Sequence, residues 1–231
     1  RVLAFLDEYQ IDSLSALAHA VQSRAEIAMR AAIEAIPDGR YEAEEMVEGT
    51  GNPLKLQVTI DVRGSDIYVD YAGSDPQRMG GGINCTFTYT RAHTVYPLKC
   101  LLTPNVPNNE GCFRPIHVTA PDRSVLNALP PASVNSRTLT GWHLHTLIFR
   151  ALTPAMRERD QAGNGLMYTI RAYARDADGS PHNAHLICGG GRGAGFGNDG
   201  TSRNCFPSSA GNVPVEIFES RVPVLVEEDS L

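Results

Sequence analysis

The first 36 residues carry apolar side chains at helical spacing. Such side chains recur every three or four residues, at Leu14, Leu17, Val21, Ala25, Ala28 and Ala32. This spacing puts them on one face of a helix, so the pattern predicts one buried stripe. Asp12 or Ser13 can cap this helix, because a short side-chain oxygen accepts an unpaired backbone N–H. Pro37 and Gly39 then turn the chain, so residues 1–36 are predicted to form a helical amino-terminal arm.

After this arm the apolar spacing changes from helical to alternating. Apolar side chains alternate with polar ones at Leu56, Val58, Ile60 and Val62. A period of two is typical of a strand that is buried on one face. Residues 64–66 form a turn and residues 67–71 return, which predicts a β-hairpin. A strand at residues 41–47 is predicted to join it.

The rest of the chain mixes both patterns. It contains predicted helices over residues 86–102 and 139–152, a short strand at 116–120, and a hairpin of residues 166–175 with 182–188. No internal repeat or low-complexity linker separates these elements. The mixture predicts an α+β fold, with helices and antiparallel hairpins in a single domain over residues 1–231.

Composition narrows the function classes. The chain has 231 residues, of which 42% are hydrophobic and 20% charged, as expected for a globular protein with an ordinary core. The net charge of −6 argues against nucleic-acid binding, which needs a basic surface. No apolar run is long enough for a membrane span, so no membrane partner is expected. The five cysteines show no Cys-x-x-Cys spacing, which predicts reduced thiols in the cytoplasm.

Two familiar kinds of ligand site have little support. Residues 189–195 are glycine-rich and follow a predicted strand, but no helix is predicted after them to receive a pyrophosphate. No Gly-Lys-Ser/Thr sequence is present, so a P-loop is absent. The seven histidines are scattered without the spacing of a metal site. The sequence therefore predicts neither a cofactor nor a metal ion on these residues.

The loop at residues 103–115 is the most informative segment. Its three prolines fix backbone torsions, and its asparagines and glycine tolerate turns. Arg114 adds a planar guanidinium that suits a carboxylate or phosphate, so the loop can act as a ligand clamp. The alternative is that Arg114 and the asparagines satisfy buried backbone groups. Cys112 lies near this arginine, which favours thiolate formation, although a packed thiol is the more common arrangement.

This loop also carries a resemblance to a known family. Residues 107–116, Pro-Asn-Asn-Glu-Gly-Cys-Phe-Arg-Pro-Ile, resemble the Pro-x-Asn-x-Gly-x-x-Arg-Pro-Ile segment of hydantoinase B/oxoprolinase proteins. Residues 36–41, 69–74, 82–85 and 212–219 resemble further segments of that family, in the same order along the chain. One departure lies just before the last segment, where an arginine and an asparagine found in many members are missing.

The resemblance implies an enzyme complex. Members are second subunits of ATP-dependent hydantoinases, oxoprolinases and caprolactamases, and of ketone carboxylases. It implies a hydantoinase A-type partner that binds ATP with magnesium, and a cyclic amide or ketone as the small-molecule substrate. It also implies that this chain is the carboxy-terminal half of a longer subunit, with a divalent metal in the amino-terminal half. An amide hydrolase is expected; a carboxylase subunit and a non-catalytic assembly domain remain alternatives.

Three residues of the matched segments are predicted to orient the substrate. Asn84 follows a run of three glycines, and Asn109 and Arg114 flank Gly111, which lets the backbone fold back. We expect Asn84, Asn109 and Arg114 to lie close together and to face a cleft that the rest of the subunit completes. Their amide and guanidinium groups suit a carbonyl or a phosphate.

Overall fold

A computed structural model describes residues 1–163, 168–176, 178–202, 204, 206 and 213–227. The chain divides into two compact units, Arg1–Arg157 and Glu158–Leu231. Each unit contains both helices and strands, so the predicted α+β class is confirmed. The prediction of one domain over residues 1–231 stays a prediction.

The amino-terminal arm is helical, as predicted. It consists of α1 (Val2–Glu8) and α2 (Leu14–Glu34), and the Ser13 side chain caps α2 by accepting a hydrogen bond from the Ala16 amide. The predicted stripe is correct only in its second half, where Ala25 is buried and Ala32 packs against the core. The buried residues of α2 are Ala25, Met29 and Ile33, whereas Leu14 and Val21 are exposed. The buried residues share one face because they are four residues apart, and only the second half of α2 packs on the unit's core.

A four-stranded sheet forms the centre of the first unit. Its strands are β1 (Gly39–Val47), β2 (Leu54–Arg63), β3 (Asp66–Asp70) and β4 (Ile116–Thr119), in that order across the sheet. The first three pair antiparallel, as the alternating pattern predicts. β4 instead pairs parallel to β3, so a helical crossover must connect them.

Two helices and two short turns complete this unit. The crossover contains α3 (Phe87–Leu102), which is capped by the Thr86 side chain, and α4 (Thr138–Leu152) packs on α3, β1 and β2. Short 3-10 helices span Glu110–Phe113 within this unit and Arg157–Arg159 at its boundary with the second unit. The core lies where α2, α3 and α4 meet the sheet.

The second unit is a hairpin with a short helix. β5 (Tyr168–Arg175) pairs with β6 (Pro181–Cys188), and α5 (Val215–Glu219) packs on β6. The predicted hairpin is confirmed there, whereas residues 166 and 167 of its first strand lie outside the described residues. Among the described residues, no helix is long and apolar enough to span a membrane.

Candidate functional site

The loop at residues 103–115 is fastened to α2 on one side. The Arg114 guanidinium donates to Glu26 Oε2 at 2.9 Å and to Gln22 Oε1 at 2.8 Å. Gly111 lies against the backbone of the same helix, and a Cβ at this position would overlap the Gln22 carbonyl oxygen. The glycine is therefore required for close approach, and Arg114 binds the loop to side chains one helical turn apart.

Asn109, another matched residue, and Cys112, which lies outside the matched positions, hold the loop's own shape. Asn109 Oδ1 accepts a hydrogen bond from the Gly111 amide at 2.9 Å, which caps the 3-10 helix, and Asn109 Nδ2 donates to the Pro107 carbonyl at 3.2 Å. The Cys112 thiol is fully buried and donates to that same carbonyl at 3.6 Å. Because Cys112 is buried, this thiol fits the packed arrangement rather than a reactive one.

The fastening continues across α2 as a network of ion pairs. Glu26 accepts from both Arg114 and Arg30, and hydrogen bonds from these two arginines lower the pKa of the Glu26 carboxyl. Arg30 also bonds Asp66 Oδ2 at 2.7 Å, and His117 Nε2 lies 2.9 Å from Asp66 Oδ1. Burial opposes charging of Asp66, but the bonds from His117 and Arg30 lower its pKa overall. Each charge of this network has an opposite partner.

The other side of the loop lines a cavity. Asn108, Glu110 and Phe113 face α3, alternating with the residues that fasten the loop to α2. A cavity of about 350 Å³ lies between the loop and this helix. The α3 residues that line it are Thr88, Arg91, Ala92, Val95, Tyr96 and Lys99. This is the size range of small-molecule sites, and apolar walls with a few polar groups are typical of them.

The charges around this cavity are incompletely paired. Lys99 is only 4% exposed, and its ammonium donates to the Thr103 carbonyl, a neutral acceptor on the next turn. No carboxylate of the described chain lies within ion-pair distance of Lys99. Arg91 and Glu110 also line the cavity, with a nitrogen–oxygen distance of 3.8 Å, and both are partly exposed. The cavity thus holds two cations and one carboxylate.

Asn84 has a different environment from the other two predicted site residues. Its side chain is fully buried, its Oδ1 accepts from the Arg78 amide at 2.7 Å, and its Nδ2 donates to the carbonyls of Arg78 and Ser133. Asn84 therefore joins two backbone segments. The structure brings Asn109 and Arg114 together in one loop, and among the described contacts Asn84 shares no partner with them. The substrate-orienting role of the three residues stays a prediction.

A pair of stacked histidines, the half-buried His93 and the buried His145, lies where α3 and α4 meet. His93 Nδ1 is 2.9 Å from His145 Nε2, and their rings stack with centroids 4.7 Å apart. Burial lowers the pKa of His93 to about 4 and that of His145 to about 3. The rings of Tyr89 and Trp142 adjoin the pair. The two imidazoles are therefore neutral around pH 7.

The described residues contain no evident metal site. No three side chains of His, Cys, Asp or Glu among them are placed to hold an ion together. The divalent metal that the family resemblance implies for another part of the subunit finds no ligand set in this region, and its position stays a prediction. The glycine-rich residues 189–195 contain close backbone contacts instead, since a Cβ at Gly191 or Gly193 would overlap neighbouring carbonyl oxygens.

Comparison with known proteins explains why five segments of the sequence resemble one family in the same order along the chain. The family model described as hydantoinase B/oxoprolinase matches residues 1–231. The chain belongs to the hydantoinase B/oxoprolinase family. A protein of a Pseudomonas species, named as a putative D-/L-hydantoinase subunit, is 28% identical over 100% of this chain and 41% of its own length. The 5-oxoprolinase PfmaA of Pestalotiopsis fici is 27% identical, over 95% of this chain and 17% of that protein.

Solved structures share the fold. The ATP-dependent caprolactamase from Pseudomonas jessenii superposes on 99% of this chain and 41% of its own, with a TM-score of 0.86 and 24% identity. A nucleotide-free acetone carboxylase covers 96% of this chain and 33% of its own, with a TM-score of 0.76 and 18% identity. The chain spans less than half the length of these relatives, so it corresponds to part of a family protein.

Family membership and geometry together explain why the loop's sequence is recognisable. Asn109, Gly111 and Arg114 match the family segment, and each has a structural contact that a different side chain would lose. The cavity behind the loop was not predicted, because α3 has only weak periodicity. The available signal was Lys99, a charged residue within the apolar sequence of α3.

Proposed function

We propose that this chain forms part of an ATP-dependent cyclic amide hydrolase that acts with a hydantoinase A-type, ATP-binding partner in the cytoplasm. The observation that carries the proposal is that relatives matching 95–100% of this chain are named as a hydantoinase subunit and a 5-oxoprolinase. Hydantoin and 5-oxoproline are both five-membered rings containing an amide, so a common reaction class follows from the two names.

The proposed reaction divides the work between subunits. ATP on the partner transfers its terminal phosphoryl group to the amide oxygen and leaves as ADP. Water then adds to the activated carbon and the ring C–N bond breaks, which leaves an acyl phosphate that a second water hydrolyses to the acid and phosphate. The present chain supplies a rigid scaffold, since Arg114 and Gly111 fix the loop on α2 and keep its opposite side open to α3. Such preorganisation supports substrate binding because little chain entropy is lost when the ligand arrives.

A panel of substrates tests this proposal. The full subunit that contains this chain is purified together with its ATP-binding partner, and ATP hydrolysis is measured with hydantoin, 5-oxoproline, caprolactam and acetone. We expect a cyclic amide to stimulate ATP hydrolysis and to yield the ring-opened acid, which mass spectrometry detects. Stimulation by a ketone that depends on bicarbonate would overturn the hydrolase and favour the carboxylase alternative.

The assembly alternative has its own discriminating measurement. If this region only joins subunits, variants of the cavity residues Arg91 or Ala92 should leave turnover unchanged, provided that the complex assembles normally by size-exclusion chromatography. If the region takes part in catalysis, turnover falls while assembly stays intact. Neither residue lies in a buried hydrogen-bond network, so the variants are suited to this comparison.

A further inference from the structure

The buried ammonium of Lys99 is the most unusual charge in the first unit. It is 96% shielded from solvent, and its one described partner is the neutral Thr103 carbonyl. A buried charge is normally paired with an opposite charge, since removal from water is otherwise costly. The ammonium has three donors, and one backbone carbonyl satisfies one of them. An anionic group near Lys99 would therefore complete its environment.

The surrounding cavity restricts the charge of that anion. Arg91 and Lys99 contribute two positive charges to the walls, and Glu110 contributes one negative charge. One positive charge is left uncompensated, which suits a monoanion better than a doubly charged phosphate. Arg91 and Glu110 are 3.8 Å apart, longer than a charge-assisted hydrogen bond, so the arginine keeps donors for a ligand.

The remaining walls describe the body of the ligand. Ala92, Val95 and Phe113 provide apolar surface, and Asn108 supplies an amide that both donates and accepts hydrogen bonds. A volume of about 350 Å³ holds a small molecule of one ring or a short branched chain. A compact apolar body with a single carboxylate fits both the walls and the charge.

We infer that the cavity between α3 and the loop at residues 103–115 binds a small monocarboxylate, whose carboxylate contacts Lys99 and Arg91. A monocarboxylate is here the ligand class of the cavity to which the proposed function assigns substrate binding, but monocarboxylate binding does not require the proposed reaction. Two kinds of ligand fit this description: a substrate that carries a carboxylate, and a regulatory acid that is not a substrate. Binding and turnover measurements separate these two sources.

Four probes test the ligand class by isothermal titration of the full subunit without ATP or partner. L-5-oxoproline carries a ring, an amide and a carboxylate. Cyclopentanecarboxylate lacks the amide, 2-pyrrolidinone lacks the carboxylate, and inorganic phosphate lacks the ring. We expect both carboxylates to bind at least about tenfold more tightly than 2-pyrrolidinone or phosphate, the factor expected for one charged hydrogen bond. Equal or tighter binding of either non-carboxylate probe would overturn the inference.

Variants locate the binding to this cavity. Lys99→Met keeps a long apolar stem but removes the charge, and Ala92→Phe fills the cavity from an exposed position without changing any charge. Each should weaken carboxylate binding about tenfold or more, whereas the exposed Arg63→Gln on the sheet should not. Wild-type affinity in Ala92→Phe, in a protein of normal melting temperature, would contradict the site even if Lys99→Met failed to fold.

The source of the carboxylate follows from turnover in the complete complex. If 5-oxoproline is consumed and cyclopentanecarboxylate inhibits competitively, the cavity binds the substrate. If cyclopentanecarboxylate changes the turnover of an uncharged amide without competing with it, the cavity is regulatory. Either result supports monocarboxylate binding, and absence of binding by both acids up to millimolar concentration would refute it.

Discussion

The ionisable groups next to α2 are paired with opposite charges, whereas three of those next to α3 are not. Around α2, Arg114, Glu26, Arg30, Asp66 and His117 form a continuous network in which each charge faces an opposite one. Around α3, the ammonium of Lys99 and the imidazole of His145 are buried and that of His93 is half-buried, and none of the three is paired with a carboxylate of the described residues. The first region contacts the loop at residues 103–115, and the second contacts that loop and the core of the unit. Each charge of the first region has an oppositely charged neighbour, whereas the three groups of the second region have none among the described residues.

This difference separates charges that stabilise the fold from charges that are available to bind a ligand. A paired network at the surface stabilises a loop modestly and needs no further ligand. A buried ionisable group without a counter-charge either stays neutral or is stabilised by binding an opposite charge. His93 and His145 follow the first course, and Lys99, beside a cavity, is suited to the second. The sequence segment most typical of the family thus serves the fold on one side and forms a cavity on the other.

Lowering the pH should affect the α3 side first and most strongly. The unfolded pKa of histidine is 6.5, and the folded values are about 4 for His93 and about 3 for His145. The unfolded chain therefore binds more protons below about pH 6.5, so stability present at neutral pH is lost as the pH falls towards 4. We expect the free energy of unfolding in urea to fall by roughly 3 kcal/mol between about pH 7.5 and pH 5.

Histidine variants identify the source of that pH dependence. The double variant His93→Gln/His145→Gln should remove most of the slope between these pH values, whereas His19→Gln, an exposed position on α2, should leave it unchanged. The α2 network should contribute below this window, because the pKa values of Glu26 and Asp66 are lowered from those of ordinary carboxyls. A slope that persists in the double variant would contradict the assignment to the pair.

Adding one methyl group at Gly111 should separate the loop from α2. A Cβ would overlap the Gln22 carbonyl oxygen, which belongs to helix backbone and cannot rotate away. We expect Gly111→Ala to lower the free energy of unfolding by about 2–3 kcal/mol, as overpacking against backbone does. Gly80→Ala is the matched control, since nothing lies within 4 Å of a Cβ there. Similar losses in the two variants would show that the close contact is unimportant.

Replacing Arg114 by lysine tests whether the guanidinium stabilises the ion-pair network or takes part in substrate turnover. Arg114 bonds Glu26 and Gln22 through two different nitrogens, which one ammonium reproduces poorly. We expect Arg114→Lys to cost about 1 kcal/mol in thermal or urea unfolding, because the pair is partly exposed. Arg63→Lys, on an exposed pair with Asp61, should cost less. Unchanged stability with reduced turnover would instead support the predicted substrate-orienting role.

Helices and strands were predicted well where the spacing of apolar residues, helical or alternating, was clear. The alternation in β2 and the capped start of α2 at Ser13 gave strand and helix correctly. The parallel pairing of β4 with β3 could not be read from residues 116–120, because pairing direction depends on the crossover. The first half of the predicted stripe on α2 is exposed, because only the second half of the helix packs on the core. The partner of Arg114 lies 88 residues away, so its contact with Glu26 required the fold.

The smallest effect on stability should come from the most deeply buried charge. Lys99→Met removes an ammonium that has no carboxylate of the described residues within ion-pair distance. The substitution keeps a long, buried apolar side chain on α3. The loss of the hydrogen bond to the Thr103 carbonyl destabilises the folded state, and relief from burying a charge stabilises it. We expect the two to offset within about 1 kcal/mol in urea unfolding, while the carboxylate binding proposed for the cavity falls about tenfold. Arg114→Lys should show the reverse, a stability loss with unchanged carboxylate binding. A loss of several kcal/mol in Lys99→Met would mean that the ammonium is part of the core rather than of a binding site, since only a structural charge stabilises the fold without its ligand.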